Sequence, residues 1–160
     1  MASRAKLPRI DKSPVCLLYR TNQSATSLFE VHASQYELTA RQFEVLSAVS
    51  RNEGLSQTQL VATTALDRST FADVAQRLLR KGLIERRRAK DDGRAYAVYL
   101  TSLGKHFVKA GGPIADAVDR AILSALSPSR ARDFVESLSR VVDALDAAMG
   151  SGVAQGRDRV

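Results

Sequence analysis

A dense cluster of basic side chains lies between Arg77 and Arg94, and its chemistry is the binding of anions. The cluster holds eight lysines and arginines against three acidic residues. Phosphate backbones attract such a surface, and a helix directly ahead of it can present side chains to base edges. The alternative is a charged hairpin that is merely solvated. The elements that surround the cluster must decide between the two. Its basic residues are Arg77, Arg80, Lys81, Arg86, Arg87, Arg88, Lys90 and Arg94.

Two capped helices joined by a short turn are predicted at the start of this region. Ser56 and Gln59 have the spacing of a capping box, in which both side chains bind backbone N–H groups at a helix start. Asp67 is predicted to cap the second helix, and Gly82 is predicted to end it. The apolar residues between them recur at helical spacing, and the other face is polar. This arrangement predicts a helix-turn-helix.

A β-hairpin is predicted to follow the second helix. Residues 83–88 and 96–100 have the composition of strands, and the polar segment between them contains Gly93. A hairpin directly after a helix-turn-helix is a wing. The predicted fold class is therefore mainly α with a small β-wing (α+β), with the winged helix-turn-helix at about 39–101.

Amphipathic helices are predicted on both sides of this winged unit, at about 13–36 and 102–149. Their apolar stripes are broader than a small winged domain can cover, so we expect a second copy of the chain to bury them in a two-fold dimer. A monomer with a helical cap is the alternative. Residues 1–12 are expected to form a mobile basic arm, and residues 150–160 a disordered tail. Two glycines and a proline at 111–113 predict a kink.

The composition narrows the class of protein. The chain has 160 residues, enough for one domain with a real core, which we assign to residues 13–149. The net charge of +7 favours nucleic acid or a membrane surface as the partner. Apolar runs are too short for a membrane span or a signal peptide, so we expect a cytoplasmic protein with no membrane partner. The single cysteine excludes an internal disulfide.

Patterns for catalysis or metal binding are absent from the sequence. His32 and His106 have no Glu-x-x-His partner arrangement, and there is neither a glycine-rich phosphate loop nor a Gly-x-Ser-x-Gly elbow. We therefore expect no enzymatic activity, no metal site and no cofactor.

The stretch from Leu55 to Thr101 resembles the DNA-binding core of the MarR family of bacterial transcription regulators. In that family the wing carries Asp-x-Arg shortly before a strand that ends in Leu-Thr, and here these are Asp92-Gly93-Arg94 and Leu100-Thr101. A weaker resemblance extends over residues 13–149. It implies terminal dimerisation helices and a homodimer on a pseudo-palindromic, double-stranded operator, most often acting as a repressor. Two recognition helices would then meet major grooves about 34–36 Å apart.

The residues expected to contact DNA lie on the second helix and on the wing. Arg94 is predicted to enter the minor groove, because narrow A·T-rich segments attract arginine. Asp92 is predicted to hold its guanidinium by a charge-assisted hydrogen bond. The full set of predicted DNA-binding residues is Arg68, Ser69, Thr70, Gln76, Arg77, Arg86, Arg88, Lys90, Asp92 and Arg94.

A small aromatic or phenolic ligand, or its thioester, is the favoured trigger for release from DNA. The resemblance implies a pocket where the dimer helices meet the winged domain, with aromatic walls and a few polar groups. Each of the aromatic residues could equally be part of the core. The candidate ligand-binding residues are Asn22, Phe29, His32, Tyr36, Phe43 and Phe107.

Cys16 is the alternative trigger, because one branch of the family senses organic peroxides through a cysteine near the start of the first helix. Tyr19 would lie about one turn on from it. However, Cys16 stands one residue out of register with that branch, and Phe29 occupies the place of a second tyrosine. A packed thiol is therefore the favoured interpretation. Two further functions stay open, namely a winged-helix module that binds an acidic protein and a nonspecific binder of nucleic acid.

Overall fold

The computed structural model describes residues 12–64, 66–88 and 96–155, with side chains described as far as residue 148. The chain divides into two compact units, one that extends to Val118 and one that begins at Asp119. The described helices and strands are, in chain order, α1 (Pro14–His32), a 3-10 helix (Ser34–Tyr36), α2 (Ala40–Arg51), α3 (Gln57–Val61), α4 (Arg68–Arg80), β1 (Ile84–Arg88), β2 (Tyr96–Leu100), α5 (Ser102–Leu123) and α6 (Pro128–Gln155). The predicted fold class, mainly α with a small β-wing, is confirmed.

Side-chain caps determine where the helices of the first unit begin. Thr39 accepts a hydrogen bond from the backbone of Gln42, whose side chain accepts one from the backbone of Thr39. Ser56 and Gln59 form the same reciprocal capping box ahead of α3. Each box satisfies two N–H groups that have no partner within the helix. Ser13 caps α1 and accepts from the backbone of Cys16 at 3.3 Å. The capping box predicted from the sequence at Ser56 and Gln59 is therefore confirmed.

The core of the first unit lies where α2, α4 and the hairpin meet. Leu46, Leu60, Phe71, Leu78 and Leu83 are among its largest fully buried side chains. They come from α2, α3, α4 and the residue ahead of β1. Because the apolar stripe of α4 is buried in this core, the opposite face of α4 is held towards solvent in a fixed orientation.

The hairpin is antiparallel, with Ile84 opposite Leu100 and Arg88 opposite Tyr96. Its inner end is closed by Thr101, whose backbone N–H donates to the carbonyl of Leu83 at 3.1 Å. Thr101 also caps α5, since its Oγ1 accepts from the backbone of Gly104 at 3.0 Å. The wing and α5 are therefore joined at a single, tightly bonded residue.

Two helix boundaries differ from the sequence-based expectation. Helix α1 ends at His32, short of the predicted limit near residue 36, so Tyr36 lies on the separate 3-10 helix. Helix α5 runs without interruption from Ser102 to Leu123 with Pro113 inside it, and the kink at 111–113 stays a prediction. Helix α6 extends to Gln155, past the start of the predicted tail.

Large apolar side chains are exposed along both terminal helices. On α1 the exposed set includes Val15, Leu17, Leu18, Tyr19 and Val31. On α6 it includes Val135, Val141, Val142 and Leu145. No helix in the part of the chain that the structure describes has the length and apolar character to cross a membrane.

Candidate nucleic-acid interface

The start of α4 is organised by the carboxylate of Asp67. Its oxygen Oδ1 accepts from the backbone N–H groups of Ser69 and Thr70, each at 2.9 Å. The hydroxyl groups of the same two residues donate to the carboxylate at 2.5 Å, Ser69 to Oδ1 and Thr70 to Oδ2. The pKa of the Asp67 carboxyl lies well below its usual range, because it accepts hydrogen bonds first from the hydroxyl of Ser69 and then from the hydroxyl and the backbone N–H of Thr70. The cap therefore stays ionised and in place at neutral pH.

The exposed face of α4 carries the side chains predicted to contact DNA. Arg68, Ser69, Gln76 and Arg77 are exposed, and Thr70 is half-buried. Phe71, Val74, Ala75 and Leu78 are buried on the opposite side. Arg77 donates to Asp73, one turn earlier on the same face, at 3.0 Å. The structure thus brings all five predicted α4 residues onto one helix, on the side away from the core.

The carboxyl end of α4 is tied to the loop that precedes α2. Gly82 has a φ of +66°, which is unfavourable for other residues and ends the helix as predicted. The ammonium group of Lys81 donates to the carbonyl of Glu37 at 3.0 Å. Glu37 itself has a φ of +47°. Lys81 is therefore a positioning residue that the sequence reasoning missed, since no local pattern relates residues so far apart in the chain.

The arginines of β1 differ in how they are engaged. Arg86 donates to the side chain of Gln57, at the start of α3, at 2.7 Å. Arg87 lies over the ring of Tyr99, 4.9 Å from its centroid, and also forms an ion pair with Glu85. Arg88 is exposed. Of the two β1 arginines predicted to contact DNA, Arg86 thus already links the wing to the first helix of the helix-turn-helix.

Backbone bonds attach the turn before α3 to the wing. The N–H of Gly54 donates to the carbonyl of Val98 at 3.1 Å, and the N–H of Val98 donates to the carbonyl of Leu55 at 3.0 Å. Glu53 lies 3.5 Å from the ammonium of Lys105 and accepts from the backbone of Leu100 at 3.4 Å. These bonds hold strand β2 of the wing against the helix-turn-helix, so both can meet a duplex together. The predicted contacts Lys90, Asp92 and Arg94 lie outside the described residues.

The residues proposed to line a ligand pocket separate into two groups. The rings of Phe29 and Phe43 lie 5.2 Å apart, and those of Tyr36 and Phe107 lie 6.4 Å apart. Phe29 is buried, while Tyr36, Phe43 and Phe107 are half-buried. Phe43 also packs against Gly111, four residues after Phe107 on α5. The polar candidates Asn22 and His32 are instead exposed on α1. The four aromatic residues thus form two ring pairs within the first unit.

Cys16 is a half-buried free thiol in the first turn of α1. Tyr19, the aromatic residue nearest to it in sequence, is 71% exposed, so most of its ring faces solvent. Among residues 12–64, 66–88 and 96–155, no group of three or more histidine, cysteine, aspartate or glutamate side chains is arranged to hold a metal ion.

Comparison with known proteins places this fold in a family. The model of the MarR family matches residues 36–95. The transcriptional regulator HosA of Escherichia coli O157:H7 is 28% identical over 121 residues, which cover 72% of this chain and 90% of HosA.

Two solved structures align over most of the chain. PcaV of Streptomyces coelicolor, solved with its natural ligand, is 31% identical with a TM-score of 0.77, over 85% of this chain and 96% of PcaV. BpsR of Bordetella bronchiseptica, whose DNA binding is regulated by 6-hydroxynicotinic acid, is 28% identical with a TM-score of 0.77, over 83% of this chain and 95% of BpsR. HosA and PcaV are both named as transcriptional regulators. With its capped helix-turn-helix, its wing and this agreement in sequence and fold, the chain belongs to the MarR family of DNA-binding transcription regulators.

Proposed function

We propose that the protein is a homodimeric, sequence-specific repressor that leaves its operator when a small aromatic acid binds. The observation that carries the proposal is the arrangement of α4 and the wing. A polar helix face with Arg68, Gln76 and Arg77 stands free of the core, and a basic hairpin is bonded rigidly beside it. A helix fits the major groove, and a hairpin can follow the backbone into the minor groove. A regulator of this kind acts where the chromosome is, in the bacterial cytoplasm.

The dimer is supported by the apolar surfaces of the terminal helices. Val31 of α1 is 69% exposed, and Val142 and Leu145 of α6 are 55% and 56% exposed in the single chain. The removal of such apolar surface from water by a partner lowers the free energy, which stabilises the assembly. A second copy of the chain is the proposed partner, since two-fold dimers are the commonest homo-oligomers. The dimer would join two copies of α4 for two half-sites.

The ligand proposal rests on the two aromatic pairs and on the relatives. Phe43 is half-buried against α5, and Phe107 is half-buried against Tyr36 of the 3-10 helix. The planar ring of a ligand could displace one of these side chains or insert beside it. BpsR responds to 6-hydroxynicotinic acid, a hydroxylated aromatic acid, and PcaV was solved with its natural ligand. Asn22 and His32 would supply polar groups for the carboxylate of the bound aromatic acid once a partner chain covers α1.

The wing supplies the first test. Arg94→Ala is expected to cost about 1–3 kcal/mol of operator binding without unfolding the protein, because a minor-groove arginine is lost. Lys109→Ala, which removes one positive charge from the exposed side of α5, is the matched control and should leave the affinity unchanged. Fluorescence anisotropy at physiological salt measures both. Equal affinity of the Arg94→Ala and wild-type proteins would contradict the role given to the wing.

The same assay distinguishes the two alternative functions. Equal binding of operator and scrambled DNA by the wild-type protein would favour a nonspecific binder of nucleic acid. The absence of binding to either duplex would favour a winged-helix module that binds an acidic protein.

The two triggers are separated by a second experiment. Release from operator DNA is followed with 6-hydroxynicotinic acid, 4-hydroxybenzoic acid and cumene hydroperoxide in parallel. The aromatic acids should release the wild-type protein and the Cys16→Ser variant equally. Phe43→Leu, which keeps an apolar side chain but removes the ring, should need roughly tenfold more ligand because an aromatic contact is lost. Release by the peroxide that disappears in Cys16→Ser would instead make the thiol the switch.

A further inference from the structure

The hydroxyl groups at the start of α4 have a fixed hydrogen-bond polarity. Ser69 Oγ and Thr70 Oγ1 each lie 2.5 Å from an oxygen of the Asp67 carboxylate, and the two oxygens are different. An ionised carboxylate accepts hydrogen bonds only, and each hydroxyl carries a single proton. Both protons must therefore point at Asp67. The exposed hydroxyl of Ser69 is left with lone pairs and no donor.

This polarity limits what Ser69 can recognise on a duplex. Phosphate oxygens accept hydrogen bonds, as do N7 and O6 of guanine, N7 of adenine and O4 of thymine, so all of them require a donor. The groups that donate in the major groove are the N4 amino group of cytosine and the N6 amino group of adenine. Rotating the hydroxyl of Ser69 towards a base acceptor would exchange a bond to a charged group for a neutral bond about half as strong. Rotating it towards a phosphate would leave the Asp67 carboxylate with one donor fewer beside a second anion.

The neighbouring side chains complement this polarity. Arg68, next to Ser69, has donors only, and so has Arg77 on the same exposed face. These residues suit phosphates and guanine, whereas Ser69 supplies an acceptor. Thr70 is half-buried and donates to the second oxygen of Asp67, so both carboxylate oxygens accept hydrogen bonds. Asp67 is thus a positioning residue that holds Ser69 in its accepting state.

We infer that Ser69 is a specificity-determining residue that accepts a hydrogen bond from the exocyclic amino group of one adenine or cytosine in each half-site, and that it does not contact phosphate. The inference rests on the proposed function, which places α4 in the major groove. Ser69 would then contact a base only as a hydrogen-bond acceptor, because its own proton is donated to Asp67.

The test uses the full-length protein and the tightest duplex selected from a randomised pool. Each adenine of a half-site is replaced in turn by purine deoxyriboside, and each cytosine by 2-pyrimidinone deoxyriboside, both of which lack the amino group. At one position the wild-type affinity should fall roughly fivefold, the value of one neutral hydrogen bond. Ser69→Ala should lose the same factor on the unmodified duplex, and the analogue at that position should cause no further loss.

Thr70→Val is the matched variant, because it removes the other hydroxyl bound to Asp67 and keeps the side-chain shape. It should remain sensitive to the analogue at the position that Ser69 reads. Circular dichroism melting checks that α4 stays folded in both variants. Binding to scrambled duplex should be the same for Ser69→Ala and the wild type.

Three results would overturn the assignment. Equal weakening of selected and scrambled DNA by Ser69→Ala would indicate a phosphate contact. Additive losses from the variant and every analogue would mean that Ser69 reads no amino group. If an analogue causes no further loss of affinity in Thr70→Val but does so in Ser69→Ala, the hydroxyl of Thr70 and not that of Ser69 makes the contact. A failure of the proposed function is distinct from all three, because the pool would then yield no preferred sequence.

Discussion

Replacing Gly104 by alanine should lower the free energy of unfolding by about 3 kcal/mol, the upper part of the range for overpacking a close contact. A Cβ at this position would lie 2.0 Å from the carbonyl oxygen of Leu83 and 3.3 Å from the side chain of Leu100. The carbonyl cannot easily move, because it accepts from the backbone and the hydroxyl of Thr101, at 3.1 and 3.2 Å. The added methyl group must therefore push α5 away from the wing.

Gly111 and Gly112 on the same helix provide the comparison. A Cβ at Gly111 would lie 2.4 Å from the ring of Phe43, so Gly111→Ala should also destabilise the protein, by about 1–3 kcal/mol, as the half-buried ring shifts. A Cβ at Gly112 would meet nothing within 4 Å outside its chain neighbours and the backbone of its own helix. Gly112→Ala should therefore leave the stability close to that of the wild type, because the gain of about 0.5–1 kcal/mol in helix propensity is offset by the restriction that Pro113 places on a preceding residue with a Cβ.

Urea denaturation of the three variants measures these differences. Gly104→Ala is expected to be the least stable variant and Gly111→Ala the next, with Gly112→Ala close to the wild type. A Gly104→Ala protein as stable as the wild type would show that α5 does not approach Leu83 as closely as described. Equal effects at Gly111 and Gly112 would show that Phe43 does not pack on α5.

Replacing Val142 by glutamate should convert the proposed dimer into a monomer and weaken operator binding by about 10²- to 10⁴-fold. The charge would lie within the exposed apolar stripe of α6 that includes Leu145, where an unpaired carboxylate at an interface is costly. The two recognition helices would then bind as separate molecules and lose the effective concentration that linkage provides. Sedimentation at micromolar concentration measures the mass, and anisotropy measures the affinity.

Ala147→Glu is the control for this variant. It adds the same charge to the same helix, and at 3.6 residues per turn it lies on the other side of α6 from Val142. It should remain a dimer with unchanged affinity. A Val142→Glu protein that sediments as a dimer would exclude α6 from the interface, and a wild-type monomer that binds the operator tightly would remove the dimer from the proposal.

Local interactions account for what the sequence determined by itself. The caps of Thr39, Ser56 and Asp67 act on N–H groups two or three residues away, and Gly82 ends α4 through its own φ. The apolar stripe of α4 and the two strands of the wing follow from periodicity over a few residues. These features place the α4 residues that are predicted to contact DNA on the side of the helix away from its buried stripe, because the face opposite a buried stripe must be exposed.

Only the tertiary structure decided how the elements lock together. The links from Lys81 to Glu37 and from Arg86 to Gln57 join residues 44 and 29 positions apart. No local pattern encodes such pairs, since they depend on which surfaces meet after packing. Gly111 illustrates the difference. In the sequence it predicts a kink, because glycine weakens an isolated helix, whereas in the structure it allows α5 to approach the ring of Phe43. The energy of that contact exists only once both helices are in place.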